Sequence, residues 1–539
     1  MSRTPLFDRL ARTLKLATSP SEAPARTHGM SRRDALKAGA VMVGAAAIGG
    51  GCAAPSEGSD GAVGERASGA GVGNTITASV GIVGAGIAGV ACAYELKKRG
   101  VVATLHEASA RAGGRMWSMG GSIPGPVMFP GQVVERSGEL IDTPHKTMQG
   151  YARELGLALE DITKPARDTV YVFRGQRVAE ATMVDEYRAL VDAMRDDLRA
   201  VGSPTAAAFT PAEQILDNTS LREWLDQKGA GANIKALLNV AYEIEYGIPT
   251  DRMSSLAFLL FAKASRQSKL RLWGNSSDER YHVIGGNEQI VRGLVAKLPN
   301  QIRYGRRLVA ARKTPAGRIE LTFKEGSTTV TAVHDAVVLA IPFTMLKYVA
   351  FDASLGIPDW KKYAIDNSVY GTNAKLMIGF SGRPWVEQGG NGAAYSDRPY
   401  LQTSWETNPS NADATRGVIT DYTGGALGAS LSNAQTDAAR FLDDFDVAYP
   451  GAKARARKDA SGKYVAHLEA WPSNPYTLGS YSANGLGYFT TIADNEAKAV
   501  GNLYFAGETT SSFYEWQGFM EGGALSGLRA AGEIVKDFG

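Results

Sequence analysis

Cysteine is nearly absent: the 539 residues contain two, Cys52 and Cys92. Two thiols cannot build a disulfide framework, and with no CxxC pair there is neither a redox dithiol nor a zinc knuckle. Histidine is scarce as well, six in all, and none falls in an HExxH arrangement, so no metal site is expected. A GxxxxGK[ST] phosphate loop and a GxSxG nucleophile turn are both missing, which argues against P-loop and serine-hydrolase chemistry. Long apolar runs are missing too. The best one, Ala38 to Gly51, is fourteen small or apolar residues of which five are glycine, short of the ~20 that span a bilayer. No internal repeat is visible. What is present is an ordinary globular balance, 44% hydrophobic and 21% charged, long enough for about three domains. Glycine is in excess, 62 residues, where about 7% of a chain is usual.

Lys and Arg exceed Asp and Glu by 58 to 55, a surplus that invites a polyanionic partner. Its location argues otherwise. Residues 1–51 hold eight basic side chains against three acidic ones, leaving 50 against 52 in the remainder. The body of the chain therefore offers no charge argument for nucleic acid. Ser31-Arg32-Arg33-Asp34-Ala35-Leu36-Lys37 sets paired arginines directly before the weak apolar run, the layout of a twin-arginine export signal. That route carries folded proteins, which suits a chain that loads a cofactor first, and a periplasmic or cell-envelope location is the expectation. Cys52, after Ile48-Gly49-Gly50-Gly51, resembles a lipoprotein box; a lipid anchor at Cys52 and simple cleavage nearby both stay open. Residues 52–74 are rich in Gly, Ser, Ala and acids, with no hydrophobic period, and read as a flexible tether.

The folded part begins at 75. Thr75 to Val83 is a β-branched run that feeds into Gly84-Ala85-Gly86-Ile87-Ala88-Gly89. A helical stretch to Arg99 follows, then Gly100 as its C-terminal stop, then a second β-run, Val101 to His106, delivering Glu107. Strand, glycine turn, helix, strand and acid in this order are the dinucleotide-binding unit. Gly84 permits the tight turn, Gly86 lets a pyrophosphate approach the backbone, and Gly89 lets the helix pack close to the sheet. The helix N-terminus offers free N–H groups to phosphates, and Glu107 can accept from both hydroxyls of an adenosine ribose.

Ala108-Ser109-Ala110-Arg111-Ala112-Gly113-Gly114-Arg115 resembles the extension that follows the ribose acid in the flavin amine oxidase family, which includes monoamine, polyamine and L-amino-acid oxidases. Other segments extend the resemblance over nearly all of the chain after 75. They are Tyr281-His282-Val283-Ile284-Gly285-Gly286 with a helical 287–298 and then Arg307-Leu308-Val309, the run Asp335 to Pro342, and Asn502 to Thr510 closed by Gly518-Phe519-Met520-Glu521-Gly522-Gly523-Ala524. The resemblance implies an α/β protein with a discontinuous Rossmann-like FAD-binding domain (75–145, 281–345 and 496–539). An α+β substrate-binding domain would be inserted twice, as a helical insert at 146–280 and a sheet-containing insert at 346–495. It further implies that Gly84, Gly86, Ile87, Ala88, Gly89, Glu107, Ala108, Gly114, Arg115, Val309, Gly507, Glu508 and Met520 hold FAD, with Arg115 the cation on the phosphate side.

Lys375, in Thr372 to Phe380, stands out without any resemblance, because a lysine within an apolar strand is costly to bury unless something polar or anionic meets it. In the family its counterpart hydrogen-bonds through water to flavin N5. Trp471 matches the residue by the flavin's benzenoid end, and Tyr481 and Phe519 match two aromatic walls that hold a neutral amine before the flavin and exclude water. Ser480 stands where the mammalian monoamine oxidases carry the cysteine that binds flavin, so non-covalent FAD is expected. The implied reaction is hydride removal from the carbon bearing the amine, with dioxygen as final acceptor and hydrogen peroxide as product. An α-amino acid would need a cation for its carboxylate. Arg136 is the nearest match, at a shifted offset and among acids. An L-amino acid is nonetheless the expected substrate, on the Gly507-Glu508 turn and the Ser526 to Ala531 ending, with mono- or polyamines close behind. A flavin-bearing redox sensor without turnover is the alternative from another class, and whether the chain pairs into a homodimer stays open.

Overall fold

The computed structural model describes residues 76–164, 167–264, 278–409, 413–511 and 516–539. The expected leader, Cys52 and the tether lie outside the described residues. No helix among the described residues is long and apolar enough to cross a membrane.

The first strand, β1 (Val80–Val83), is buried along its whole length, as a strand covered on both faces must be. It is shorter than the β-branched run that leads into it, because Ser79 turns to the Asp335 carboxylate, to which its N–H and its hydroxyl each donate at 2.8 Å. The glycine turn then opens helix α1 (Ile87–Lys98), which ends at Arg99 and the left-handed Gly100, and the chain returns as β2 (Thr104–His106). Around this unit runs a five-stranded parallel sheet in the order Leu503–Phe505, Ala336–Leu339, β1, β2, Ile302–Arg303. Successive connections leave β1 in opposite directions, so its carboxyl end is the topological switch point where ligands bind in such folds. A Cβ at Gly89 would strike the Gly84 carbonyl oxygen, and one at Gly527 the Ala88 oxygen. Glycine is what lets α1 lie against the turn on one side and against the C-terminal helix Met520–Phe538 on the other.

The rest of the molecule is built on a seven-stranded mixed sheet. Its order is Ala466–Ala470, Ala374–Ser381, Arg416–Thr423, Leu401–Glu406, Gly390–Arg398, Asp168–Phe173, Gln176–Arg177. Helices between 180 and 264 cover part of it, and their Leu237, Tyr242 and Phe258 share a core with Tyr171, Tyr395, Trp405 and Tyr422 of the sheet. The stretch expected as a helical insert, 146–280, also contributes two strands, Asp168–Phe173 and Gln176–Arg177, to the sheet of the other insert.

Packing also moves two expected boundaries. The helix Lys146–Glu154 places Met148, Tyr151 and Ala152 in the nucleotide-side core. Its N-terminal N–H groups at Thr147 and Met148 donate to the Glu521 carboxylate at 2.9 and 2.8 Å, a favourable charge for that end of a helix. Beyond 345, Val349, Leu355, Ile365 and Tyr370 pack with Leu503 and Phe505 under the parallel sheet. Both segments carry apolar residues that the sheet face needs, so the nucleotide layer extends past 146 and past 346.

Candidate active site

A cavity of about 540 Å³ opens at the carboxyl end of β1, within the range of small-molecule sites. Gly84, Gly86, Ile87, Ala88, Glu107, Ala108, Gly114, Arg115, Val309, Gly507, Glu508 and Met520 line it, together with Trp471 and Phe519. Gly89 does not; it lies one turn into α1 and acts through the packing already described. The glycine turn and the glycine-arginine turn meet across the cavity, where Gly86 and Gly113 form a bridge and a Cβ at Gly114 would lie 3.3 Å from the Gly86 Cα. A phosphate can thus approach bare backbone on both sides, at the start of α1.

Each remaining contact has a local cause. The Glu107 carboxylate is fixed by N–H donors from Ala85 and Ser109, both at 2.8 Å, one to each oxygen, leaving a lone pair on each for ribose hydroxyls. Val309 is the extra residue of a β-bulge: Leu308 pairs with Phe323 and Ala310 with Thr322, so its backbone is left out of the ladder and free to face a ligand. Arg115 donates from Nη1 to Glu508 Oε1 and to the Ser480 carbonyl, both at 2.9 Å. Glu508 also accepts from the Ser482 hydroxyl at 2.6 Å and the Gly518 N–H at 2.8 Å. Burial pushes its carboxyl up, but Arg115, Ser482 and Gly518 together hold it below the usual carboxylate range.

Sequence reasoning missed several lining residues. Arg111 stacks on Trp117, its guanidinium 4.1 Å from the ring centroid, and Arg306 and Arg307 add charge at the same end. His106 also lines the cavity; burial first, then the neighbouring His334, push its imidazole down to about 3, so it stands neutral beside Glu107. The signal was present in the basic residues around 111 and 306, but their convergence depends on the sheet order.

At the reacting end the expected residues are not all brought to one surface. Trp471 and Phe519 are buried at the cavity wall, Trp471 Nε1 donating to the Arg136 carbonyl at 3.1 Å. Tyr481 does not line the cavity. Its ring packs against Gly518, where a Cβ would meet it at 3.4 Å, and its hydroxyl meets that of Tyr422 at 2.9 Å and donates to the Glu245 carbonyl at 2.7 Å. Lys375 is buried and also stays off the cavity wall: its ammonium donates to Glu139 Oε2 at 2.5 Å, the Ser137 carbonyl at 2.9 Å and the Glu135 carbonyl at 3.2 Å. Its three hydrogens thus meet three protein acceptors. Arg136, the arginine closest to the family's carboxylate-binding position though offset from it, is likewise committed. It pairs with Glu469 at 2.5 Å and lies 3.2 Å from the Trp117 ring centroid.

A parallel sheet with a glycine cradle, a fixed carboxylate at Glu107 and a run of arginines at its switch point is the class of site at which α/β folds bind nucleotide cofactors. Residues 87–535 match the model of the flavin containing amine oxidoreductases, and the chain belongs to that family. A Mycobacterium tuberculosis protein named as a flavin-containing monoamine oxidase is 26% identical over 471 residues, spanning 85% of this chain and 97% of that one. An L-amino-acid oxidase of Siganus canaliculatus is 24% identical over 474 residues, 84% of this chain and 85% of that one. A putrescine oxidase, solved as a triple mutant, superposes with a TM-score of 0.72 at 21% identity, covering 85% of this chain and 99% of the other, a likeness of fold. The protein is a flavin-containing amine oxidoreductase.

Proposed function

We propose that the chain binds FAD non-covalently and oxidises a primary amine that carries no carboxylate beside its nitrogen. The observation that carries the substrate reading is Arg136. Its guanidinium is spent on Glu469 and on the face of Trp117, and the arginines that line the cavity among the described residues, Arg111, Arg115, Arg306 and Arg307, all belong to the nucleotide-side segments.

FAD supplies the two-electron acceptor for the carbon–nitrogen bond and passes the pair to dioxygen. The chain's own contribution is to hold and shield. Gly86, Gly114 and the start of α1 would take the pyrophosphate, Glu107 the adenosine ribose, Arg115 the phosphate side, and Glu508 the neighbouring ribitol hydroxyls. Trp471 and Phe519 close the wall to water. The amine leaves as an imine that water splits to a carbonyl compound and ammonia, with one hydrogen peroxide formed per dioxygen consumed. Ser480 offers no thiol to a flavin, and its hydroxyl donates to Asn373 Oδ1 at 2.6 Å.

A peroxide-coupled screen of FAD-loaded protein with primary amines, diamines and all L-amino acids tests this. Peroxide with amines and none with L-amino acids is expected. Turnover of L-amino acids alone would overturn the substrate reading, yellow protein inert toward every compound would favour the redox sensor, and protein that cannot take up FAD would end both. The export reading belongs to the same proposal. Replacing the pair as Arg32→Lys and Arg33→Lys in the full chain should strand the protein in the cytoplasm, and unchanged fractionation would sink it.

A further inference from the structure

Trp117 lines the cavity and carries two guanidiniums over its ring, Arg111 at 4.1 Å and Arg136 at 3.2 Å from the centroid. Two groups that near one centroid fit only on opposite faces. Their like charges repel, so each must be held from behind. Arg111 is held by its own loop. It donates to the carbonyls of Ala112 at 3.0 Å, Met116 at 3.3 Å and Gly114, threading the glycine-arginine turn where a Cβ at Gly113 would stand 2.8 Å from its Nη1. The Gly113 N–H in turn donates to the Ala85 carbonyl at 2.8 Å, which seats this turn on the first one. Arg136 is held by the large sheet. Its Nε and Nη2 meet Glu469 Oε2 at 2.6 and 2.5 Å, and its backbone N–H donates to the Trp117 carbonyl at 2.8 Å. Glu469 belongs to the strand Ala466–Ala470 and lies off the cavity wall.

An arginine that spends its donors on loop carbonyls and its plane on an indole fixes a backbone shape, a task that lysine, a flexible point charge, cannot take over. We infer that Arg111 and Trp117 are positioning residues of the phosphate cradle, and that the stack of Arg111, Trp117, Arg136 and Glu469 lets the substrate-side sheet set how tightly the cradle holds FAD. Arg111 keeps Gly114 against Gly86, Trp117 keeps Arg111 in the turn, Arg136 presses on the far face of the indole, and Glu469 holds Arg136 there. The inference rests on the flavin reading above and is independent of which amine is oxidised.

The test is the Kd of FAD, titrated by flavin fluorescence into the deflavinated full chain, beside the Tm of the same FAD-free protein. The variants are Trp117→Phe, Trp117→Leu, Arg111→Lys, Glu469→Gln, and the pair Trp117→Leu with Glu469→Gln. Trp117→Leu and Arg111→Lys should each weaken FAD by about tenfold, Trp117→Phe by no more than about twofold because the stack survives, and Glu469→Gln by about fivefold from outside the cavity. In the pair FAD should bind no worse than in Trp117→Leu alone, while the Tm losses add. Arg111→Lys with wild-type affinity would make Arg111 a plain charge on the phosphates. Glu469→Gln with wild-type affinity would cut the sheet from the cradle, and Kd losses that multiply in the pair would show Glu469 acting by another route; each of these three overturns the inference. If Trp117→Leu does not fold, Arg111→Lys paired with Glu469→Gln gives the same comparison. Wild-type protein that takes up no FAD would end the flavin reading and this inference with it, an outcome distinct from variants that bind as wild type does.

Discussion

Glu508 accepts from Arg115, from the N–H and hydroxyl of Ser482 and from the Gly518 N–H, all of which favour its ionised form. With its folded pKa depressed, its contribution is fully present above the ordinary carboxylate range and is lost as pH falls through the folded value. Glu508→Gln should therefore cost about 3 kcal/mol near neutrality, read by urea denaturation, and should flatten the acid side of the stability profile; an acid limb identical to wild type would refute this. Covalent chemistry is also decided by single residues. Cys92 is free and buried, and burial pushes its thiol up to about 12, while Ser480 has no thiol to offer. Acid precipitation of the holoprotein should leave all flavin in the supernatant, and yellow colour in the pellet would show a covalent bond. Lys375 was legible in the sequence as a lysine whose burial calls for something polar or anionic to meet it. Its partner was not, because Glu139 is 236 residues away and nothing local to either residue marks the pairing. Arg136 stood out only as an offset arginine among acids, and its partners Glu469 and Trp117 reach it only in the folded chain.

In the C-terminal helix Met520–Phe538 the same substitution should have opposite signs at two glycines. A Cβ at Gly527 would collide with the Ala88 carbonyl of α1, whereas one at Gly532 meets nothing within 4 Å. Gly532→Ala should stabilise by about 1 kcal/mol, the difference in helix propensity, while Gly527→Ala should lower Tm and weaken FAD retention by prising the two helices apart. Equal Tm shifts of one sign would mean that the helix pair is not in contact as described. The strand, turn, helix, strand and acid unit could be read from sequence because its period, glycines and caps are all local. The strand Asp168–Phe173 could not be placed in the large sheet, since its neighbour there, Gly390–Arg398, is far along the chain, although its hairpin partner Gln176–Arg177 is local. The bulge at Val309 was equally hidden, being set by the pairing of its strand with Ile319–Glu325.

Across the whole molecule the cavity wall is assembled from segments far apart in the chain, around 84–88, 106–117, 306–309, 340–348, 471–477 and 506–523. Bonds also tie the nucleotide side to the large sheet: Lys375 to Glu139, Arg136 to Glu469 and the Trp471 indole to the Arg136 carbonyl. A ligand in that cavity bridges segments from the 346–495 insert and from the parallel sheet, so its binding energy is shared by both. FAD at a hundred times its Kd should then add about 2.7 kcal/mol to the unfolding free energy, and calorimetry should show a single transition of the described body moving upward as FAD is added. The alternative is a modular molecule in which the seven-stranded sheet melts by itself. Two transitions, of which only one responds to FAD, would establish that and would break the claim that the cofactor site and the substrate sheet form one cooperative unit.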